Sequence, residues 1–417
     1  MIIKKASLLN IPIFLIFPLL SFLIAIRNLK SRTNGVVFVA FCALFGYSFS
    51  FGNDSADSYR VALVFDAFDY KSLFDIYQLY LLGGAPDLYR FLVYSFVKSF
   101  TDNPKVLFAV FGFVFGVFWY LSLRIFKKEQ KSYKSFYIYL IYFIFLILNP
   151  ITNINGARFN TAAWVFFLAT VNIILYKKKG YYFMLLCAPL VHFSFIFGVA
   201  IVVLFSFFKD LSYTSKRVNK ILYYSFIASF AVSWILASNI ISFDFISKII
   251  PSESISGKID TYNSSEVSEI YEKRASNSPF LMVSNFFQMI IKTAFFFIII
   301  YLKKFSSKQP LLGYKINVFL SFVMFYFTLA FIIGTMPSGN RFLMVGYIFC
   351  VLLMLLLFVK YPNSIDKKYA LALIPIFSFK FFFNTIFLSI SITSHTIWYG
   401  NLLWIIYEGW DYTFIYL

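Results

Sequence analysis

Charge is scarce in this 417-residue chain, since only 13% of the residues are charged whereas 60% are hydrophobic. A soluble domain of this length could not bury so much apolar surface, so a soluble globular protein is excluded. The alternation over about ten residues that marks the strands of a membrane barrel is also missing from the sequence. What is left is a helical membrane protein, for which lipid is the solvent.

Cysteines and nucleotide-binding motifs are also scarce. The three cysteines, Cys42, Cys187 and Cys350, lie inside apolar runs. This is typical of small buried hydrophobic residues and argues against disulfides or metal ligands. The sequence has no Walker A loop, no dinucleotide fingerprint and no HExxH zinc motif. We therefore expect no metal, no cofactor and no ATP-driven chemistry on the chain itself.

Apolar runs of about 18–22 residues dominate what is present, and their length matches the hydrocarbon thickness of a bilayer. They predict an all-α polytopic integral membrane protein of about 10–12 transmembrane helices, with residues 1–417 in a single membrane domain. The first run lacks a clean cleavage site, which predicts a retained helix. The predicted spans cover residues 8–26, 35–51, 104–126, 135–151, 159–176, 220–241, 280–302, 316–335, 342–359 and 369–392.

Positive charge lies in short clusters at every second end of these runs. Because loops rich in Lys and Arg stay on the cytoplasmic side of a membrane, the clusters predict a multi-pass protein whose other loops face outward. Most of the net charge of +19 lies in these clusters, which orient the helices and can contact anionic lipid headgroups. The positive charge therefore does not indicate binding to nucleic acid. The clusters are Arg27 to Arg32, Lys127 to Lys134, Lys177 to Lys179, Lys209 to Lys220, Lys303 to Lys315 and Lys360 to Lys368.

Two larger outer loops, at about 52–103 and 242–279, carry most of the acidic residues. Within the first loop, segment 88–101 is apolar but short, which predicts an interfacial or re-entrant helix. Segment 181–208 has basic clusters on both sides, so it must enter and leave at the same face. It is too short for two full spans, and we expect a hairpin of two short helices that breaks near His192.

Two arginines stand apart from the basic clusters. Arg158 follows Asn155-Gly-Ala, and Arg341 follows a similar turn that ends at Asn340. Each precedes an apolar run that crosses inward, so two helix N-termini with guanidinium groups face outward, an arrangement that favours phosphate. We expect Arg158, Arg341, Asn155 and Asn340 to bind a diphosphate near the outer leaflet. The alternative is that each arginine only anchors its helix at the lipid headgroups.

Two residues are candidates for proton transfer. His192, at the tip of the predicted hairpin, is a candidate general base or a donor that orients a hydroxyl group, and the alternative is a structural polar group. Asp57, just past the second span, is a candidate base or sugar-binding group, and the alternative is a solvated loop charge. Further candidates for substrate contact are Tyr59, Arg90, Lys105 and His395.

Four short motifs occur in a fixed order, and their order carries more weight than any one of them. They are Asp57-Ser-Tyr59, Asn155-Gly-Ala-Arg158, Ala188-Pro-Leu-Val-His192-Phe-Ser194 and Asn340-Arg341-Phe342. With these motifs, the chain resembles the EpsG-like, Wzy-type polysaccharide polymerases of bacterial inner membranes over residues of about 50–360. That family commonly has Gln after the first arginine, whereas this chain has Phe159.

The resemblance implies a GT-C-like glycosyltransferase that joins oligosaccharide repeat units at the periplasmic face of the bacterial inner membrane. The donor it implies is an undecaprenyl-diphosphate-linked oligosaccharide, and a chain-length regulator is a further candidate partner. The same residues leave two alternatives open: a flippase or other transporter of lipid-linked oligosaccharides, and a transferase similar to O-antigen ligases. A flippase should place cations along a path through both leaflets, whereas these arginines lie at outer helix ends.

Overall fold

The computed structural model describes the following residues of the chain: 8–52, 57–81, 87–130, 133–235, 279–309, 313–335, 339–407 and 413. These residues are nearly all helical, and Phe49 and Thr393 form an isolated antiparallel β-bridge. The predicted all-α class is thereby confirmed. Of the predicted outer loop 242–279, only Pro279 lies within the described residues.

The α-helices of the described residues are numbered in chain order. The first ten are α1 (Asn10–Ile16), α2 (Pro18–Arg27), α3 (Arg32–Tyr47), α4 (Asp57–Asp66), α5 (Leu73–Leu81), α6 (Leu88–Lys98), α7 (Pro104–Gln130), α8 (Phe136–Leu148), α9 (Ala157–Ile174) and α10 (Tyr181–Val191). The others are α11 (Phe195–Thr214), α12 (Lys216–Ile235), α13 (Pro279–Ser307), α14 (Tyr314–Ile333), α15 (Arg341–Lys360), α16 (Lys368–Leu371), α17 (Leu373–Lys380), α18 (Leu388–Ile392), α19 (Thr396–Tyr399) and α20 (Leu402–Tyr407). A 3₁₀-helix covers Ile151–Gly156, and a π-helix covers Phe381–Phe387.

Eight helical stretches of the described residues are long and apolar enough to cross a membrane. One of them, Phe136–Ile174, reverses direction at the 3₁₀-helix. The reversal is evident from the ring of Phe145, which lies 5.7 Å from that of Trp164. It therefore contains two antiparallel helices, α8 and α9. The shorter apolar helices α2, α3 and α10 add to these stretches. The described residues thus form a polytopic helical membrane protein, as predicted.

Helices α9 and α15 form the centre of the bundle. Nearly every residue of both helices is buried, as expected for helices that are apolar on all sides. Both begin at one end of the bundle, with Arg158 and Arg341 in their first turns. We call this end the site end. Both finish close to Lys177 and Lys360, and we call that opposite end the basic end.

The first apolar run differs from the prediction, because residues 8–26 do not form one continuous span. Helices α1 and α2 are separated at Phe17, and the chain reverses there. Asn10 Nδ2 donates to the carbonyl oxygen of Ser21 at 3.1 Å, and Ser21 Oγ donates back to the Asn10 carbonyl oxygen at 2.9 Å. Asn10 also donates to Asn34 Oδ1 of α3 at 3.1 Å. These polar partners hold α1 beside α2, which apolarity alone could not specify.

The hairpin around His192 reaches the site end of the bundle. Helix α10 ends at Val191, where Pro189 lies in its last turn, and α11 begins at Phe195. The second arm has 20 residues, so it is longer than the short helix that the sequence suggested. In the predicted outer loop 52–103, α6 has 11 residues, fewer than the roughly 20 that a crossing requires.

Candidate functional site

The turn that precedes α9 is held by asparagine side chains. Asn160 Nδ2 donates to the carbonyl oxygens of Asn153 and Gly156, both at 3.0 Å. Asn149 Nδ2 donates to the carbonyl oxygen of Asn160 at 3.1 Å. These bonds satisfy backbone acceptors that an irregular turn leaves unpaired. They fix the first turn of α9, and with it the position of Arg158.

A buried carboxylate, Asp87, joins this turn to the hairpin. Its side chain is 1% exposed, and its Oδ2 accepts a hydrogen bond from Arg158 Nη1 in a salt bridge. Its Oδ1 accepts the backbone N–H of Phe193 at 3.0 Å. A buried carboxylate needs such partners, because an unpaired charge in a low-dielectric interior is costly. Asp87 therefore sets the position of Arg158 relative to the turn between α10 and α11.

The ring of Phe159 connects the other predicted residues. The imidazole of His192 packs edge-on against it, with ring centroids 5.4 Å apart and an interplanar angle of 85°. The guanidinium carbon of Arg341 lies 5.8 Å from the centroid of the same ring. Phe342 completes the cluster at 5.8 Å. The structure thus brings Arg158, His192 and Arg341 together around the first turn of α9.

Arg90 of α6 lies in the same group of charges. Its guanidinium carbon is 5.8 Å from the centroid of Tyr94. The pKa of Arg90 is lowered by burial and by the positive charge of Arg158, which outweigh the opposing effects of Tyr94 and Asp87. Within the described part of the chain, its buried Nε has no hydrogen-bond partner. A guanidinium that lies beside a second positive charge and has an unpaired Nε–H is suited to an anionic ligand.

The balance of charge in this group is positive. Three guanidinium groups, on Arg90, Arg158 and Arg341, stand against the single carboxylate of Asp87, which leaves about two positive charges. Helices α9 and α15, of 18 and 20 residues, direct their N-termini to the same end of the bundle. The arrangement can bind a multiply charged anion such as a diphosphate.

Asn155 and Asp57 have roles in the structure that the sequence did not indicate. Asn155 Oδ1 accepts the backbone N–H of Ser58 at 2.7 Å, so it caps α4 and holds this helix against the turn before Arg158. Asp57 begins α4 and forms a salt bridge with Arg60 at 2.6 Å, with both side chains more than half exposed. Tyr59, half-buried, lies on the same helix.

The remaining predicted residues lie around the same end of the bundle. Asn340 is exposed and immediately precedes α15. Lys105 is the second residue of α7, and its backbone N–H donates to Asn103 Oδ1 at 2.9 Å. His395 immediately precedes α19, with its ring 5.7 Å from that of Tyr399. These residues share the site end of the bundle, whereas Arg90 lies beside Arg158 and Asp87.

Sequence reasoning missed Asp87 and Phe159. Asp87 is one of many acidic residues in the loop before α6, and its neighbours Arg158 and Phe193 are 71 and 106 residues away in sequence. The one local feature of the sequence that could have pointed to Asp87 is its position just before an apolar helix with an arginine three residues later. For Phe159, the only such feature is its position next to Arg158 in the sequence. In the described residues, no group of three His, Cys, Asp or Glu side chains could hold a metal ion.

The fold and the site together define a class: polytopic helical membrane proteins with a cluster of arginines at one end of the bundle. Within this class, the model of the EpsG family matches residues 34–399, most of the chain. The chain therefore belongs to the EpsG family, the Wzy-like polysaccharide polymerases, as its motifs predicted. The matched region contains every residue of the site but not α1 and α2. No curated protein and no solved structure matches the chain.

Proposed function

We propose that this protein polymerises undecaprenyl-diphosphate-linked oligosaccharide repeat units into a surface polysaccharide. The family carries a polysaccharide polymerase-type function, and the arginine cluster supports a diphosphate-linked donor. The single observation that carries the proposal is that Arg158 lies in the first turn of α9, next to Phe159, and that Arg341 of a separate helix has its guanidinium carbon 5.8 Å from the Phe159 ring. Such a pair can hold both phosphoryl groups of one leaving group.

The chemistry is a glycosyl transfer. A hydroxyl oxygen of the acceptor unit forms a bond to the anomeric carbon of the growing chain, and the bond from that carbon to the phosphate oxygen breaks. The electron pair leaves with undecaprenyl diphosphate, where negative charge develops beside Arg158 and Arg341. One preorganised donor of this kind contributes about 3–4 kcal/mol to the transition state. The acceptor hydroxyl gives up its proton to a base, for which Asp57 and His192 are the candidates.

The site end is proposed to face the periplasm of a bacterial inner membrane. Basic residues concentrate at the opposite end, where α7 finishes with Lys127 and Lys128 and α15 finishes with Lys360. Such residues stay in the cytoplasm. A donor already activated as a diphosphate needs no nucleotide, so this orientation is compatible with chemistry outside the cytosol. The diphosphate group would lie at the depth of the outer headgroups, with its isoprenoid chain in the bilayer.

The experiment that tests this proposal is chain growth in proteoliposomes that contain only this protein and a lipid-linked repeat unit. The variants R158A and R341A should each lower the rate of polymer formation at least ~100-fold, because a preorganised electrostatic donor is lost. Unreacted single units should accumulate. The matched control is R217A, which removes an exposed arginine of α12 at the basic end and should leave the rate unchanged.

Other outcomes of this experiment would contradict the proposal. If R158A or R341A forms long polymer at normal protein levels, the arginines are not required for the reaction. Movement of the lipid-linked unit across the bilayer without chain growth would indicate a flippase. Transfer of a finished chain to a different lipid acceptor, without growth, would indicate a ligase-like transferase.

A further inference from the structure

A lysine lies in the middle of the apolar helix α13, where a charged side chain is rare and costly. Lys292 Nζ donates to the carbonyl oxygen of Ser233, near the end of α12, at 3.1 Å. The rings of Phe230, Trp234 and Phe331 surround the same nitrogen at 5.6–5.8 Å, which stabilises a cation. An ammonium group has three N–H donors, so two remain for a ligand. In the part of the chain that the structure describes, no carboxylate pairs with Lys292.

Helix α13 runs beside α15 in the same direction. The ring of Phe295 lies 4.5 Å from that of Tyr347, in the first half of α15. Further along α13, the ring of Phe305 lies 5.7 Å from that of Tyr361, the residue that follows α15. Helix α13 therefore starts at the site end, as α15 does, and finishes at the basic end.

This packing places Lys292 at nearly the same depth as Arg341. Arg341 precedes Tyr347 by six residues, and Lys292 precedes Phe295 by three. At about 1.5 Å per residue along a helix axis, Lys292 lies about 5 Å further into the membrane than Arg341. A lysine side chain is long enough to reach outward over such a distance. The ammonium group can therefore meet a phosphate at the depth of the arginine cluster.

An apolar groove opens to the bilayer beside Lys292, between α12 and α13. Its volume is about 370 Å³, and the exposed side chains of Phe286 and Phe297 are part of its wall. Trp234 joins the groove to the cation, since its side chain lines the groove and its ring lies 5.6 Å from Lys292 Nζ. The one hydroxyl of the wall, on Thr293, donates to a carbonyl oxygen of its own helix at 2.9 Å. Such a wall suits a hydrocarbon chain and not a sugar.

Lys292 and the arginine cluster form separate sites. Lys292 contacts α12 through Ser233 and the last turn of α14 through Phe331. Arg341 instead contacts Phe159 of α9. Two cationic sites at similar depth would let two lipid-linked units lie side by side at the same face of the membrane. The transfer of a chain from one lipid-linked unit to another requires such an arrangement.

We propose that Lys292 and this groove bind the lipid of the acceptor unit. The ammonium group pairs with the diphosphate of the acceptor, and the groove holds part of its isoprenoid chain. Thr293 and Phe297 lie deeper in the membrane than Lys292, so the chain can extend inward from a diphosphate at this lysine. The inference rests on the proposed function, in which both substrates are linked to undecaprenyl diphosphate and the arginine cluster binds the donor.

Photo-crosslinking tests the groove without any need for activity. Photoreactive p-benzoylphenylalanine takes the place of Phe297, which is 56% exposed, or of the control Phe113 on α7, which is 52% exposed. Each protein is placed in nanodiscs of phosphatidylethanolamine and phosphatidylglycerol with ³²P-labelled undecaprenyl diphosphate. We expect about 10-fold more labelled product at Phe297 than at Phe113. Equal labelling would overturn the proposal. Loss of the label when more phosphatidylglycerol is added would also overturn it, because the site would then bind ordinary phospholipid.

Three variants decide which cation holds the lipid in the groove. K292M keeps the length of the side chain but removes its charge, so it should lower the cross-link at Phe297 about 10-fold, whereas K292R should keep it. R341A removes a cation of the donor site and should leave the cross-link unchanged. If K292M has no effect, Lys292 is not part of the site. If R341A lowers the cross-link as much as K292M does, the groove serves the donor and the acceptor assignment is wrong.

Kinetics test the acceptor role itself. When the protein elongates a preformed lipid-linked chain, K292M should raise the KM for the single lipid-linked unit about 10-fold and change kcat less than about 3-fold. R341A should instead lower kcat, because it acts on the leaving group of the donor. A normal KM in K292M, or a lower kcat without a change in KM, would overturn the acceptor role.

These experiments separate the two proposals. If the wild-type protein forms no polymer, the proposed function fails, but the cross-link still decides whether the groove binds a lipid diphosphate. If polymer forms and Phe297 is labelled no more than Phe113, the proposed function stands and the inference about Lys292 fails.

Discussion

At the scale of residues, Asp87 has the most demanding environment of the described acidic side chains. Its carboxylate is 1% exposed and accepts hydrogen bonds from Arg158 and from the backbone of Phe193. A buried ion pair of this kind contributes little to stability compared with apolar side chains of the same volume, but removal of one partner is costly. The main effect of the pair is therefore to position the guanidinium of Arg158 beside the His192 turn, and its contribution to stability is small.

The Asp87–Arg158 pair predicts strong coupling in a double-mutant cycle. The single variants D87A and R158A should each lower the free energy of unfolding, measured by SDS titration of the detergent-solubilised protein. The double variant should lose less than the sum, with a coupling energy of about 1–3 kcal/mol.

The control for this cycle is the pair Asp57–Arg60, whose side chains are 53% and 59% exposed. Its coupling energy should be about 0–1 kcal/mol, because water screens an exposed pair. Additive effects of D87A and R158A would show that the buried pair does not couple the two elements.

At the scale of elements, the contact of α3 with α7 depends on glycines. A Cβ atom at Gly112 would lie 2.2 Å from the carbonyl oxygen of Cys42, and one at Gly46 would lie 2.1 Å from the carbonyl oxygen of Phe108. The obstacle is backbone in both cases, so a rotamer change cannot relieve it. Small residues let the two helices approach closely inside the membrane. Helix α7 in turn packs on α9, which begins with the site.

This packing predicts that G112A destabilises the protein. The added methyl group must push α3 and α7 apart, which costs about 3 kcal/mol, the upper part of the range for an overpacked core. The thermal unfolding midpoint in detergent should fall, and polymer formation should fall with it. The control is G180A, because nothing lies within 4 Å of a Cβ at Gly180 and its φ of −58° suits alanine. An unchanged midpoint for G112A would contradict the close approach.

At the scale of the whole molecule, the two ends of the bundle differ in chemistry. At the basic end, Lys315 pairs with Glu129 at 3.1 Å, and Tyr314 donates a hydrogen bond to Asp210. These contacts tie the ends of different helices together and leave many lysines for lipid headgroups. At the site end, Arg158 instead pairs with the buried Asp87, and Arg341 lies against the ring of Phe159. This division of charge predicts the orientation that the proposed function requires.

The orientation predicts opposite labelling of two introduced cysteines. Lys179 is exposed at the basic end, and the side chain of Asp102 is 84% exposed at the site end. In whole cells, a thiol reagent that does not cross the inner membrane should label D102C and not K179C. Cys42 and Cys350 are buried, so only Cys187 needs replacement by alanine. Labelling of both positions from the periplasm would contradict the topology.

The sequence predicted the helical class because apolar length and charge are local properties of the chain. It also indicated the first turns of α9 and α15, since a Gly/Asn turn followed by one arginine and an apolar run is visible without any contact. It was wrong about residues 8–26, where Asn10, Ser21 and Asn34 pair across a reversal. Hydropathy averages over such single polar residues, so the reversal leaves no trace in the pattern.

By itself, the sequence determined that the chain is a membrane protein with a basic end and arginines at the other, because the bilayer acts on each segment separately. Only the tertiary structure decided that Asp87 joins Arg158 to the His192 turn and that Phe159 lies between His192 and Arg341. These contacts join residues far apart in sequence. They depend on how the helices pack, which no local pattern records.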